Sequence, residues 1–155
     1  MQLVFQSRNG SRYVAWSQYA LLRDNVQHYL ESGPGQTSFI ALHGVERAVD
    51  GDVAPLPALE LRRELQRAWS ALASMPLAES AVSLRTRAIL CGFGLPPVRG
   101  TLKARLSGWS LPVDGDVGDT LHKHLRTFVE SVLVLTDGVR AHDRVLVCRV
   151  DSNYD

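Results

Sequence analysis

The chain has few cysteines, few aromatic residues and no long uncharged apolar segment. Its two cysteines, Cys91 and Cys148, are too few and too far apart for a disulfide scaffold or a four-thiolate zinc site. No run approaches the roughly 18 apolar residues that a membrane-spanning helix needs. The first thirty residues carry Arg8, Arg12 and Arg23 and lack the apolar stretch of a secretory signal. The sequence therefore predicts a cytoplasmic protein that does not bind membranes.

The sequence also lacks the short motifs that mark several enzyme classes. It contains no G-x-S-x-G, no G-x-x-x-x-G-K-[ST], no H-E-x-x-H and no G-x-G-x-x-G between a strand and a helix. These absences favour a non-catalytic protein over an enzyme, although a catalytic pair could still come from residues distant in sequence. We assign no catalytic residue, no metal ligand and no cofactor.

One five-residue word, VDGDV, occurs twice, at 49–53 and at 113–117. When the chain is shifted by 64 positions, TSFIALHGVERAVDGDV aligns with TLKARLSGWSLPVDGDV, and eight of the seventeen positions are identical. In both copies apolar residues then recur every three or four positions, which predicts helices over 57–74 and 119–136. Each helix is followed by an apolar run that contains a cysteine, RAILCGF or RVLVCRV. This pattern indicates an internal duplication.

The duplication predicts one α+β domain over 1–155. Two βαβ units, 37–93 and 101–150, would form a ferredoxin-like antiparallel sheet with helices on one face and the cysteine-bearing strands on the outside. Residues 1–36 would be an extension: a hairpin around Asn9-Gly10 and a helix that Ser17 caps and Gly33 ends. An exposed outer strand would make a homodimer feasible.

The two Asp-Gly-Asp words permit a metal site formed by Asp50, Asp52, Asp114 and Asp116. Neither copy has the ligand spacing of an EF-hand loop. Asp-Gly is also common in turns and ahead of helices, where the carboxylate accepts hydrogen bonds from backbone amides. His122 and His124 cannot chelate one ion, because residues two apart on a helix point roughly 200° from each other.

Acidic residues are absent from 80–113, whereas five basic residues lie in that stretch: Arg85, Arg87, Arg99, Lys103 and Arg105. The remainder of the chain carries 12 basic and 16 acidic residues, so a net charge near zero conceals a polarised molecule. If 84–93 and 101–109 pair as strands, four of these side chains share one face and form a cationic patch. They could equally be the outward polar residues of a half-exposed hairpin.

These observations predict a non-catalytic protein-binding module that uses the basic hairpin, 84–106, to engage an acidic protein surface. An inhibitor, an immunity-type protein or an accessory regulatory protein would fit. The first alternative is binding of nucleic acid or a phosphate ligand by the same residues, although aromatics make up only 7% of the chain and stacking recognition needs them. The second alternative is a metal-dependent enzyme that uses the two Asp-Gly-Asp loops.

Overall fold

A computed structural model of the chain describes residues 2–31, 38–74 and 114–151. In chain order the elements are β1 (Gln2–Ser7), β2 (Gly10–Ala15), α1 (Trp16–Leu30), α2 (Ile40–His43), α3 (Glu46–Val49), β3 (Ala54–Pro57), α4 (Ala58–Leu72), α5 (Asp114–Leu135) and β4 (Arg144–Val150). The four strands form one antiparallel sheet in the order β2-β1-β4-β3. The α+β class is therefore confirmed.

The N-terminal hairpin forms as predicted. Ser7 lies opposite Gly10, so the connecting loop is Arg8-Asn9, and Gly10 adopts a φ of 118° that a side chain would disfavour. The side-chain amide of Asn9 donates to the carbonyls of Leu135, at 3.1 Å, and Asp137, at 2.8 Å. The hairpin tip is thereby fixed to the end of α5, whose last carbonyls lack partners within the helix.

The two long helices after the VDGDV words are also confirmed, as α4 and α5. Their predicted apolar stripes are buried, with Leu61, Leu65 and Ala68 on α4 and Leu125, Val129 and Val132 on α5. Helix α5 packs against α1 and α4 and lies over β1 and β2. Phe128 on α5 meets Phe5 on β1 edge to face, with ring centres 5.8 Å apart. One continuous core thus lies between the helices and the sheet.

The first strand of the predicted βαβ unit 37–93 would precede the helix 57–74, and this strand is wrong, because residues 40–49 contain α2 and α3. The buried apolar residues of 38–49 do not alternate as in a strand: most are separated by three or four positions, as on one face of a helix, and they are Phe39, Ala41, Leu42, Val45 and Ala48. The ferredoxin-like duplication is therefore not confirmed. The predicted strands 84–93 and 101–109 lie outside the described residues.

The N-terminal hairpin is part of the sheet and not an extension beside it. Leu3, Val4 and Phe5 are all buried, and β1 pairs with β2 on one side and with β4 on the other. Strand β4, which carries Cys148, pairs with β1 and with β3 and is therefore a central strand and not an outer one. The predicted Ser17 cap is also wrong, since α1 begins at Trp16 with Ala15 at the N-cap position.

The two VDGDV words have different backbone conformations. In the first, Val49 ends α3, Asp50 is its C-cap, and Gly51 has a φ of 104° in the turn that leads to β3. In the second, residues 114–117 form the start of α5. The four residues Asp-Gly-Asp-Val thus follow one helix and begin another, so the repeated word does not mark equivalent places in two copies of one unit.

Candidate functional site

The helices pack on one side of the sheet, and the strand residues that point to the other side form a surface that we call the open face. The register gives its members as Gln2, Val4, Gln6, Ser11, Tyr13, Ala15, Pro55, Pro57, Arg144, Leu146, Cys148 and Val150. They alternate with core residues such as Leu3, Phe5, Val145 and Val147. No helix within the described part of the chain packs on the open face.

Apolar side chains dominate the middle of the open face. Tyr13, Val4 and Cys148 form a row across three strands, because Val4 lies opposite Tyr13 on one side and Cys148 on the other. Leu146 lies opposite Gln6 and Pro55 in the next row. Val4 is only 3% exposed, whereas Tyr13 is 68% exposed and Leu146 44%. The open face therefore combines one buried apolar residue, Val4, with exposed apolar side chains on the strands at either side of it.

The polar groups of the open face carry little charge. Gln2, Gln6 and Ser11 are neutral, and Arg144 is the only charged residue among the twelve members. An apolar surface with amide and hydroxyl groups and one cation is compatible with a protein partner, because such a surface can be desolvated without burying an unpaired carboxylate.

A buried ionic cluster joins α1 to α3. The guanidinium of Arg23, whose side chain is 5% exposed, donates to Glu46 and also to Asp24 through Nε, at 3.2 Å. The phenol of Tyr19 donates to the same Glu46 carboxylate at 3.0 Å. Each carboxylate of this cluster is engaged by a donor from the protein itself, which is the arrangement expected of a structural network.

The pKa shifts in this cluster follow from burial and from the neighbouring charges. Burial, and then the charge of Glu46, raises the pKa of the Tyr19 phenol above its ordinary value near 10. Burial alone would lower the pKa of Arg23, but the hydrogen bond to Glu46 and the charge of Asp24 outweigh it and raise that pKa. Tyr19 therefore stays neutral and Arg23 stays charged at physiological pH.

A second buried carboxylate, Glu64 on α4, holds the start of α2. Its two oxygens accept hydrogen bonds from the backbone N–H groups of Ala41, at 3.0 Å, and Leu42, at 3.1 Å. Burial raises the pKa of Glu64 above its usual value, although these two hydrogen bonds oppose the shift. At the other end of α2, the ring of His43 pairs with Glu31 at 2.7 Å. These contacts tie α2 to α1 and α4.

A basic groove of about 320 Å³ lies between α4 and α5 and is lined by Trp69, His122, Lys123 and Arg126. Nε2 of His122 donates to the carbonyl of Leu72, at 3.1 Å, and so satisfies one of the last carbonyls of α4. Lys123 and Arg126 are exposed and lie one turn apart on α5. The groove thus presents an indole beside two exposed cations.

The residues predicted to bind a partner, Arg85, Arg87, Arg99, Lys103 and Arg105, all lie outside the described residues, so the cationic patch stays a prediction. For the metal alternative, Asp50 and Asp52 lie in the turn after α3, and Asp114 and Asp116 lie in the first turns of α5. Within the described residues, no group of three His, Cys, Asp or Glu is placed to hold a metal ion.

The open face was missed from the sequence, although one signal for it exists. Three consecutive buried apolar residues, Leu3, Val4 and Phe5, are typical of an interior strand that is shielded from solvent on both faces and not of an appended hairpin. Recognising β1 as central would have placed Tyr13 and Cys148 next to Val4. Nothing local to Leu146 distinguishes it from a core residue, because the run RVLVCRV is apolar on both faces.

No protein-family model, curated protein sequence or solved structure matches this chain. The described helices include none that is long and apolar enough to cross a membrane. The features of the chain that bear on its function are the open face, the basic groove and the uneven distribution of charge along the sequence.

Proposed function

We propose that this chain is a non-catalytic, cytoplasmic protein-binding module, of the inhibitor, immunity or accessory regulatory kind, that engages an acidic partner protein. The observation that carries the proposal is the open face. Its exposed Tyr13, Leu146 and Val150 form an apolar surface that no described helix covers. Exposed apolar surface of this kind on a folded domain commonly marks an interaction site.

Charge supports an acidic partner. Arg144 is the only charged member of the open face, and the segment 84–106 adds Arg85, Arg87, Arg99, Lys103 and Arg105 without any acidic residue. Such a distribution attracts an acidic surface over the Debye length of the solution and speeds its capture. In this proposal the apolar residues supply the affinity of the complex, and the basic residues supply its orientation and its rate of association.

The proposal is tested by tagging the chain and measuring its affinity for the protein that co-purifies with it. We expect Leu146→Glu to weaken that affinity by at least about tenfold, because a carboxylate would be buried in the contact. Val53→Glu is the matched control, since Val53 is 59% exposed in the loop before β3, outside the open face. If both variants and the unmodified chain bind the partner with equal affinity, the open face is not the binding surface.

The basic segment is tested separately. Reversal of Arg85, Arg87, Lys103 and Arg105 to glutamate is expected to slow association and to reduce its dependence on salt. If capture of the partner is unchanged, the basic residues are outward polar residues without a binding role. The two sets of variants therefore distinguish a partner held by the open face from one held by the segment 84–106.

Binding of a phosphate ligand or nucleic acid is the second candidate, and the basic groove favours it. Trp69 offers a ring on which a base could stack, and Lys123 and Arg126 offer two cations within one helical turn. In this candidate the groove acts together with the basic segment 84–106.

A further inference from the structure

The two edges of the sheet differ in their capacity to accept another strand. Within the described residues the sheet ends at β2 on one side and at β3 on the other. Strand β3 has only four residues, and Pro55 and Pro57 lack the N–H that a ladder needs. Strand β2 has six residues and no proline, and its residues 10–13 are exposed. Of the two edge strands that the structure describes, β2 therefore offers a full additional ladder and β3 does not.

We propose that a second copy of this chain binds at that edge, with β2 antiparallel to β2 about a two-fold axis. In an isologous pairing of this kind the same surface of each copy forms the contact, so the assembly ends at a dimer. It needs no partner of different sequence and so goes beyond the proposed protein-binding function. The four described strands of each copy then form one continuous sheet, and the two open faces lie side by side on the same surface.

The sequence of β2 selects one register for this pairing. Opposite residues in an antiparallel pair point to the same face of the sheet. The core faces of the two copies are therefore continuous only if odd-numbered residues of β2 lie opposite odd-numbered residues and even-numbered opposite even-numbered ones. Placing Tyr13 opposite Tyr13 of the second copy meets this condition, sets Arg12 opposite Val14 and pairs residues 11–15 of each strand, whereas Val14 opposite Val14 also meets it but pairs only residues 13–15. A slip that sets Arg12 opposite Arg12 places like charges together, which is unfavourable.

The chosen register also uses the most exposed aromatic side chain of the described strands. Tyr13 is 68% exposed in one chain, and its pairing across the axis buries two phenol rings against each other. A charged residue on an edge strand disfavours pairing with another strand, and Arg12 is the one charged residue of β2. The register places Arg12 opposite an apolar residue, so that no like charges meet.

Cysteine cross-linking tests the register. In a chain with Cys91→Ser and Cys148→Ser, we expect Tyr13→Cys to form a disulfide-linked dimer under mild oxidation, because residues at the axis are within bridging distance. Arg12→Cys is the matched control: it is the exposed neighbour on the same strand, but its own copy lies one diagonal step away, at roughly 7–8 Å or more. Equal cross-linking of the two variants would overturn the register.

The mass of the unmodified chain tests the dimer itself, and it does so without any substitution. We expect light scattering to report twice the monomer mass at high concentration, and Tyr13→Lys to raise the dissociation constant by more than about tenfold by placing two cations at the axis. Gln6→Lys, on the open face of β1 but away from the edge, is expected to leave the dimer unchanged. A monomeric mass up to about 1 mM, or equal weakening by the two lysines, would overturn the proposal.

Discussion

Glu64 on α4 accepts a hydrogen bond from the backbone N–H of Leu42 at a distance of 3.1 Å, across 22 positions of sequence. Helix α2 has only four residues and no side-chain cap of its own. The Glu64 carboxylate therefore caps the N-terminus of α2 from another helix and stabilises the helical conformation around Leu42.

Replacing Glu64 by alanine is expected to lower the free energy of unfolding by about 1–3 kcal/mol, because two buried N–H groups lose their acceptor. Chemical denaturation measures the change. Gln66→Ala is the matched control, since Gln66 is exposed on the same helix. A change no larger than that of the control would show that the N–H groups find other acceptors.

Glu64→Gln tests the pKa shift. Because the native pKa of Glu64 lies above its ordinary value of 4.5, the folded chain holds this proton more tightly than the unfolded chain. The contribution of Glu64 to stability is thus fully present below pH 4.5 and is lost as the pH rises through the native pKa. The unfolding free energy of wild type minus that of Glu64→Gln is expected to decrease from pH 4 to pH 7; an increase would contradict the shift.

Arg23→Met is expected to lower the free energy of unfolding by about 2–3 kcal/mol, because it leaves Glu46 and Asp24 without their buried cation. The value is below that of a fully buried pair, since the Glu46 side chain is 36% exposed. Arg63→Met, at an exposed arginine of α4, is the control and should change stability little. Similar melting temperatures for the two variants would show that the cluster adds no net stability.

Phe128→Ala is expected to cost about 3–5 kcal/mol, because Phe128 is 1% exposed and its ring contacts those of Phe5 and Tyr19. Val134→Ala, on the same helix with a side chain 51% exposed, should cost less than about 1 kcal/mol. Denaturant titration of both variants compares the two positions directly. Near-equal losses would place Phe128 outside the core.

Gly44→Ala is expected to be destabilising by about 1–3 kcal/mol, because the new Cβ would lie 2.5 Å from Cδ2 of the buried Leu56. Gly51→Ala is the comparison, since it meets no atom within 4 Å but must keep a φ of 104°. In a Leu56→Ala background the cost of Gly44→Ala should fall, whereas the cost of Gly51→Ala should not. A double-mutant cycle measures this coupling, and a coupling of zero would contradict the contact.

The sequence was most informative where local pattern and tertiary packing agree. The three- and four-residue spacing of Leu61, Leu65 and Ala68 requires a helix with one buried stripe, and α4 has it. The Arg8-Asn9-Gly10 turn and the run from Arg144 to Val150 likewise form a hairpin and a strand. In each case the chain's own periodicity decides the conformation before any distant contact is made.

Only the tertiary structure decided the conformation of 37–49 and the order of the strands. The word VDGDV has no conformation of its own: Gly51 turns the chain after α3, whereas the second word starts α5. The acceptor that caps α2, Glu64, lies on another element, and the strands that flank β1 come from both ends of the chain. Composition and spacing alone determined the α+β class, the hairpin and the two long helices, because those depend on neighbours in sequence. The open face depends on which strands pair, and strand pairing joins residues as distant as Val4 and Cys148.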